Sequence, residues 1–216
     1  MFFALVVSGC VPFALPPVTV SGDIGLAKGS TPPPQGAATT SGNWMETGFR
    51  VGARPLGLVD SYLGRPIDVG VGYLYERLPV GLGEGTTISP PLVQGAWLEF
   101  MSWSQRDING SSAGRGGPIL DIEVLASSLP GRGVVTGFGA RLGFGFEGAG
   151  FVKGDGCADR GCAAYQGEGG IGIALFAEYR QIGDVHYGGL LIEFSLRLPA
   201  AAGVLFVPEM LYLLAK

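Results

Sequence analysis

The chain has 216 residues and a formal net charge of −4, with a sequence pI of about 5.0; no basic surplus marks it as a nucleic-acid binder. Hydrophobic residues make up 47% and the mean hydropathy is +0.36. Even so, no run of about eighteen apolar residues is free of proline or charge, which excludes a helical membrane protein. Glycine, at 39 residues, is far above the usual ~7% and has no collagen period. That points to strands, tight turns and a crowded interior.

The chain opens MFFALVVSGC. Apolar residues run from Phe2 to Val7, followed by Ser8, Gly9 and Cys10. This pattern resembles the lipobox of bacterial lipoproteins, in which an aliphatic residue and two small residues precede a cysteine. The resemblance implies that residues 1–9 are a signal peptide and that the Cys10 thiol carries a diacylglycerol. The basic stretch usual at the start of such signals is missing between Met1 and Phe2. Residues 10–42 hold Pro12, Pro16, Pro17 and the stretch GSTPPPQGAATTSG. That composition predicts a solvated linker between anchor and body, with Val18 to Ala27 as a candidate short strand inside it.

From Trp44 the pattern has period two. In the first segment, Trp44 to Arg54, Glu46, Arg50 and Arg54 oppose Phe49 and Val51. In the second, Ile67, Val69, Val71, Tyr73 and Tyr75 alternate with Asp68, Gly70, Gly72, Leu74 and Glu76. Leu92–Trp103 sets Glu99 against Leu98 and Phe100, and Pro118–Ala126 sets Asp121 and Glu123 against Leu120, Ile122 and Val124. The fifth segment is the clearest. Phe138, Ala140, Leu142, Phe144 and Phe146 face one way; Gly139, Arg141, Gly143, Gly145 and Glu147 face the other. Ile171–Arg180 and Leu190–Leu198 repeat the scheme with Glu178, Arg180, Glu193 and Arg197 on the polar parity. Val204–Leu213 is the eighth candidate.

An even count of about eight strands predicts an all-β fold, a single closed antiparallel up-and-down barrel over residues 43–216. The polar parity is glycine with isolated charges of both signs, not the lysine, serine and threonine of a water-facing sheet. A bore of eight strands has room only for side chains. The expectation is therefore a lumen charge network of Arg141, Glu147, Glu178, Arg180, Glu193 and Arg197 inside, with the oily parity facing lipid. The pattern resembles small outer-membrane β-barrels in general, without a family-specific motif. Tyr75, Tyr179 and Tyr212 fall near one end of their strands, as an interfacial girdle would. The longer connections near Ser61, Asn109 and Cys157 are expected at the opposite end, facing outward.

Chemistry-bearing motifs are sparse. Cys157 and Cys162, in GDGCADRGC, suit a disulfide in an oxidising compartment. Two thiols with Asp155 or Asp159 are too few ligands for a metal site, so no cofactor is expected. Gly143, Gly145 and Gly148 spell GxGxxG, but within a strand pattern and without a following helix. His186, the only histidine, reads as a rim residue. Glu99, Glu123, Glu147, Glu178 and Glu193 admit a paired-acid hydrolase reading, against which stands a structural ion network. The functional expectation is a non-enzymatic cell-envelope lipoprotein of the outer membrane, structural or part of a surface assembly. Its partners would be membrane lipid and other envelope proteins. The alternative is a lipocalin-like barrel holding a small apolar ligand.

Overall fold

The computed structural model describes residues 16–31, 40–58, 66–77, 92–107, 112–129, 133–154 and 165–198. Nine strands follow in chain order: β1 (Val18–Thr31), β2 (Thr40–Ala53), β3 (Ile67–Arg77), β4 (Leu92–Ser102), β5 (Ser104–Asp107), β6 (Ser112–Leu129), β7 (Gly133–Gly154), β8 (Tyr165–Ile182) and β9 (Val185–Leu198). A 3-10 turn, Pro55–Leu58, follows β2. Every pairing is antiparallel, and neighbours in sequence are neighbours in space.

Two long-range pairings complete one ring. β1 pairs with β9 from Val18↔Leu198 to Ser30↔His186. β4 pairs with β6 from Val93↔Ser127 to Met101↔Ile119. The short β5 continues the line of β4 beyond Trp103 and pairs Ser104↔Gly116 through Asp107↔Ala113. Nine segments thus make eight staves of one closed antiparallel up-and-down barrel. Closure removes the edges that would otherwise present unpaired N–H and C=O groups.

Two expectations need correction. Residues 18–31 and 40–42 belong to β1 and β2, not to a linker, so the barrel begins at Val18 and not at residue 43. Val18, Val20, Ile24 and Leu26 do alternate with Thr19, Ser21, Asp23 and Gly25. Only four bulky apolar residues mark that face, and flanking prolines mask the signal. Among the described residues the ring is complete without Val204–Leu213. Pairing of β9 with β1 uses both edges to which a further strand could add. Residues 199–216, Tyr212 included, lie outside the described residues.

Two ends can be distinguished. At the short-turn end, Leu129 connects to Gly133 and Ile182 to Val185. Gly133 and Gly183 take φ of 71° and 58° there, a region that side chains with Cβ seldom occupy. At the other, extended end, β6, β7 and β8 run on past their neighbours; β7 has 22 residues, about twice what a bilayer-spanning strand needs. Val18 and Leu198 also lie at this end.

The bore is fitted to its contents by glycine. Trp97 points inward, and its indole N–H donates to the Tyr73 carbonyl at 3.1 Å. Its ring lies across Gly52, Gly70 and Gly72, where an added Cβ would come within 2.3, 2.7 and 2.8 Å of it. Gly52→Val should therefore displace the indole and cost about 1–3 kcal/mol by overpacking. Urea unfolding of the refolded barrel, followed by tryptophan fluorescence, checks this; an unchanged midpoint would contradict the packing described.

Candidate functional site

Strand pleating sends alternate residues to opposite faces, and here the two faces differ completely in chemistry. On the outer wall Val124, Leu142, Ile171 and Leu190 are 67%, 63%, 72% and 62% exposed. Phe138, Phe144, Phe146, Ile173, Leu175, Ile192, Phe194, Leu120, Ile122 and Ile24 join them in a continuous apolar belt. The belt is about nine residues tall along β7 (Phe138 to Phe146) and β8 (Ile171 to Tyr179), close to the 9–11 residues per spanning strand of a membrane barrel. At its short-turn margin two tyrosines carry polar tips. The Tyr73 hydroxyl donates to Gln94 Oε1 at 2.8 Å, and Tyr179 Oη lies 2.9 Å from His186 Nδ1. Tyr75 is half-buried nearby.

The inner wall carries ten acids and six arginines that are buried among the described residues: Asp23, Glu46, Asp68, Glu76, Glu99, Asp121, Glu123, Glu147, Glu178 and Glu193, with Arg50, Arg54, Arg115, Arg141, Arg180 and Arg197. They form three tiers. In the tier nearest the short turns, Arg180 is the one guanidinium. It grips Glu123 with two parallel bonds of 2.6 and 2.9 Å, meets Glu76 at 2.7 Å, pairs with Glu46 and approaches Glu178 at 3.4 Å.

In the middle tier Arg50 pairs with Asp121 and Glu123. Arg141 meets Glu193 at 2.9 Å and Asp23 at 3.5 Å, with its guanidinium 4.0 Å from the Phe176 ring centre. The tier at the extended end is balanced. Arg115 and Arg197 share Asp68 and Glu147 at 2.7–3.1 Å, and Arg54 meets Glu99 at 2.6 Å. Arginine suits this duty because its planar fork stays charged and binds two carboxylates at once.

The structure therefore brings Arg141 to Glu193, Arg180 to Glu178, and Arg197 to Glu147. Sequence reasoning left out Arg50, Arg54 and Arg115 as network members, along with Asp23, Glu46, Asp68, Glu76 and Asp121. All but Asp23 sat on the correct parity in segments that were read as strands or in their immediate continuation. Asp23 was hidden inside the supposed linker. Cys10, Cys157 and Cys162 lie outside the described residues. Gly143, Gly145 and Gly148 lie within β7, where no phosphate-binding turn exists.

Among the described residues, a cavity in the bore bounded by Thr19, Arg54, Glu99, Trp103 and Arg197 among others measures about 20 Å³, whereas sites for small organic ligands run to roughly 300–1,000 Å³. A larger hollow of about 700 Å³ lies at the extended end, lined both by outer-wall Phe146, Ile171, Ile173 and Phe194 and by inner-wall Arg115 and Glu147. The lipocalin-like alternative needs an apolar bore, and the described inner wall is charged instead. Most of the inner carboxylates are tied to arginines, as in the structural ion network set against the hydrolase reading.

No family model matches the chain, and no curated protein matches it. Among solved structures, Neisserial surface protein A has a TM-score of 0.40 at 12% identity, covering 84% of this chain and 96% of its own. Ail, the attachment invasion locus protein of Yersinia pestis, has a TM-score of 0.26 at 13% identity, covering 83% and 98%. At such values these likenesses assign neither family nor role.

Removing Arg141 would strand buried Glu193 and leave Asp23 only Arg50, at 3.8 Å, so Arg141→Met should cost roughly 3–5 kcal/mol. Adding Glu193→Gln should restore part of the loss, because the orphaned charge goes with it. Urea midpoints of the two single variants and the double variant measure the coupling; strict additivity would mean that the pair does not interact.

Proposed function

We propose that this chain is a non-enzymatic β-barrel of the bacterial outer membrane, lipid-anchored through Cys10, that serves a structural role or forms part of a surface assembly. The partition of the wall carries the reading. A water-soluble barrel buries its apolar parity and wets its polar one, whereas here the order is reversed. An exposed apolar patch on a soluble monomer rarely exceeds a few hundred Å², and this one encircles the molecule. Hydrocarbon is the solvent that such a surface fits, and closure satisfies the backbone without water.

The lipobox-like Val7-Ser8-Gly9-Cys10 supports an anchor placed just upstream of Val18. Anchor and extended end then share a side. Short turns mark the periplasmic side of such barrels, so the reading sets the extended end outward, with the connection holding Cys157 and Cys162. A disulfide between those two cysteines belongs to the same proposal. Partners are membrane lipid and other envelope proteins, with no nucleic acid and no cofactor.

Three outcomes test this. Leu142→Arg, at mid-belt on β7, should cost about 2–4 kcal/mol in a lipid bilayer. In a water-soluble barrel the same change on an exposed side chain would be neutral or would improve solubility. Full-length protein expressed in a diderm bacterium should incorporate labelled fatty acid and fractionate with outer membranes, and Cys10→Ser should abolish the label. Labelling of residue 109, changed to cysteine in a chain lacking its own three, should proceed on intact cells. Reaction only after permeabilisation would reverse the orientation.

A further inference from the structure

The inner wall is short on four neighbouring staves at one level of the bore. Thr19 on β1, Ser195 on β9, Ala174 on β8 and Gly145 on β7 line a single cavity there. Glu99 on β4, and Trp103 just past the end of β4, line it from across the ring. The cavity measures about 20 Å³ among the described residues, more than the roughly 10–15 Å³ that one water molecule needs. Glu193 of the middle tier and Arg197 of the extended-end tier both border it, so it lies between those two tiers.

Two residues that border this cavity carry complementary unsatisfied atoms. Trp103 is 7% exposed, and its indole Nε1 has no hydrogen-bond partner among the described residues. Its ring is held in place: the Trp103 backbone N–H donates to the Pro66 carbonyl at 2.7 Å, and the Arg115 guanidinium lies 4.5 Å from the ring centre. Trp97 differs, because its indole N–H is satisfied by the Tyr73 carbonyl. Glu99 Oε1 touches Arg54 at 2.6 Å, yet it accepts no directed hydrogen bond among the described residues. The Arg54 Nε–H goes to Thr19 Oγ1 instead, at 3.1 Å. A native interior rarely leaves a buried donor unpaired.

We propose that this cavity is a binding site for an internal water, which accepts a hydrogen bond from Trp103 Nε1–H and donates one to Glu99 Oε1. The pair of atoms selects the ligand. An indole N–H needs an acceptor, and a carboxylate oxygen needs a donor. A cation would satisfy Glu99 but would meet the positive end of the indole dipole. An anion would satisfy Trp103 but would meet the Glu99 carboxylate. Water accepts and donates at once, and the Thr19 and Ser195 hydroxyls at the wall bring its polar neighbours to the two to four that a buried water takes. Among the described residues no set of three metal-ligating side chains is placed to hold a metal ion.

The water ties the β4 side of the bore to the short inner residues of β1 and β9 at a level where no side chain is long enough to do so. It makes the two inward indoles different in kind: Trp97 is bonded to protein, Trp103 to solvent. The site needs neither a lipid anchor nor a given orientation in a membrane, since every residue that forms it belongs to the bore.

Nuclear magnetic resonance of the full-length barrel, refolded in detergent micelles with isotope-labelled tryptophan, tests this. The three tryptophans give three indole signals, assigned by Trp44→Phe, Trp97→Phe and Trp103→Phe in turn. The Trp103 indole N–H should show a cross-peak to water of opposite sign in laboratory-frame and rotating-frame Overhauser spectra, the mark of a bound water. The Trp97 indole should show none. Ala174→Leu, which fills the cavity, should remove the Trp103 cross-peak. Absence of that cross-peak from the wild type overturns the proposal, whether or not Ala174→Leu folds. So does a cross-peak of equal sign in both spectra, which reports exchange with bulk water, or one that persists in folded Ala174→Leu. A Trp103 signal that moves with sodium concentration at constant ionic strength would give the site to a cation and overturn it as well.

Discussion

Arginine–carboxylate pairing inside the bore is the constraint from which the rest of this structure follows. A closed ring of eight staves leaves an interior too narrow for water in quantity and too wide to stay empty. Long planar guanidiniums that each bridge two or three staves fill it. Arg50 on β2 reaches Asp121 and Glu123 on β6 across the barrel, and Arg180 on β8 reaches Glu46 on β2 and Glu76 on β3. Such ties fix which strands oppose one another. They hold only if they are collectively satisfied, because a half-satisfied polar interior is worse than an apolar one.

The outer wall is the complement of that choice. With the charges turned inward, period-two geometry turns phenylalanine, leucine, isoleucine and valine outward. In water this would be a large unfavourable exposure; in hydrocarbon it costs nothing, and a closed hydrogen-bonded ring pairs its backbone without water. Bore and belt are therefore one design seen from two sides. A one-residue slip of any of the eight staves would turn its inner charges onto the outer wall and its outer apolar residues into the ion network, so register is strongly specified around the whole ring.

Glycine makes the design sterically feasible. Gly52, Gly70 and Gly72 clear space for the Trp97 ring, which Arg50 and Arg54 approach at 5.7 and 5.8 Å. The chain's high glycine content is thus an interior property as much as a turn property. The remaining apolar residues of the inner parity gather into two patches, one plugging the short-turn end and one around Phe176, Leu191, Met101 and Ile119. No single oily centre exists, as it would in a soluble sandwich.

The sequence alone determined which side chains share a face. Alternation is a local property with period two, and it was legible wherever bulky residues marked one parity, as from Phe138 to Phe146 and from Ile171 to Tyr179. It also carried the parity of Arg141, Glu178 and Glu193. Tertiary structure alone decided where the ring begins and which charges meet. β1 has too few bulky residues between proline-rich flanks to announce itself, and it becomes a strand because β2 and β9 offer it two unpaired edges. The partners of Arg50 stand 71 and 73 positions away in the chain, a separation no local pattern encodes. The crowding of four carboxylates onto Arg180 likewise arises only when β2, β3, β6 and β8 are bent into the same cylinder.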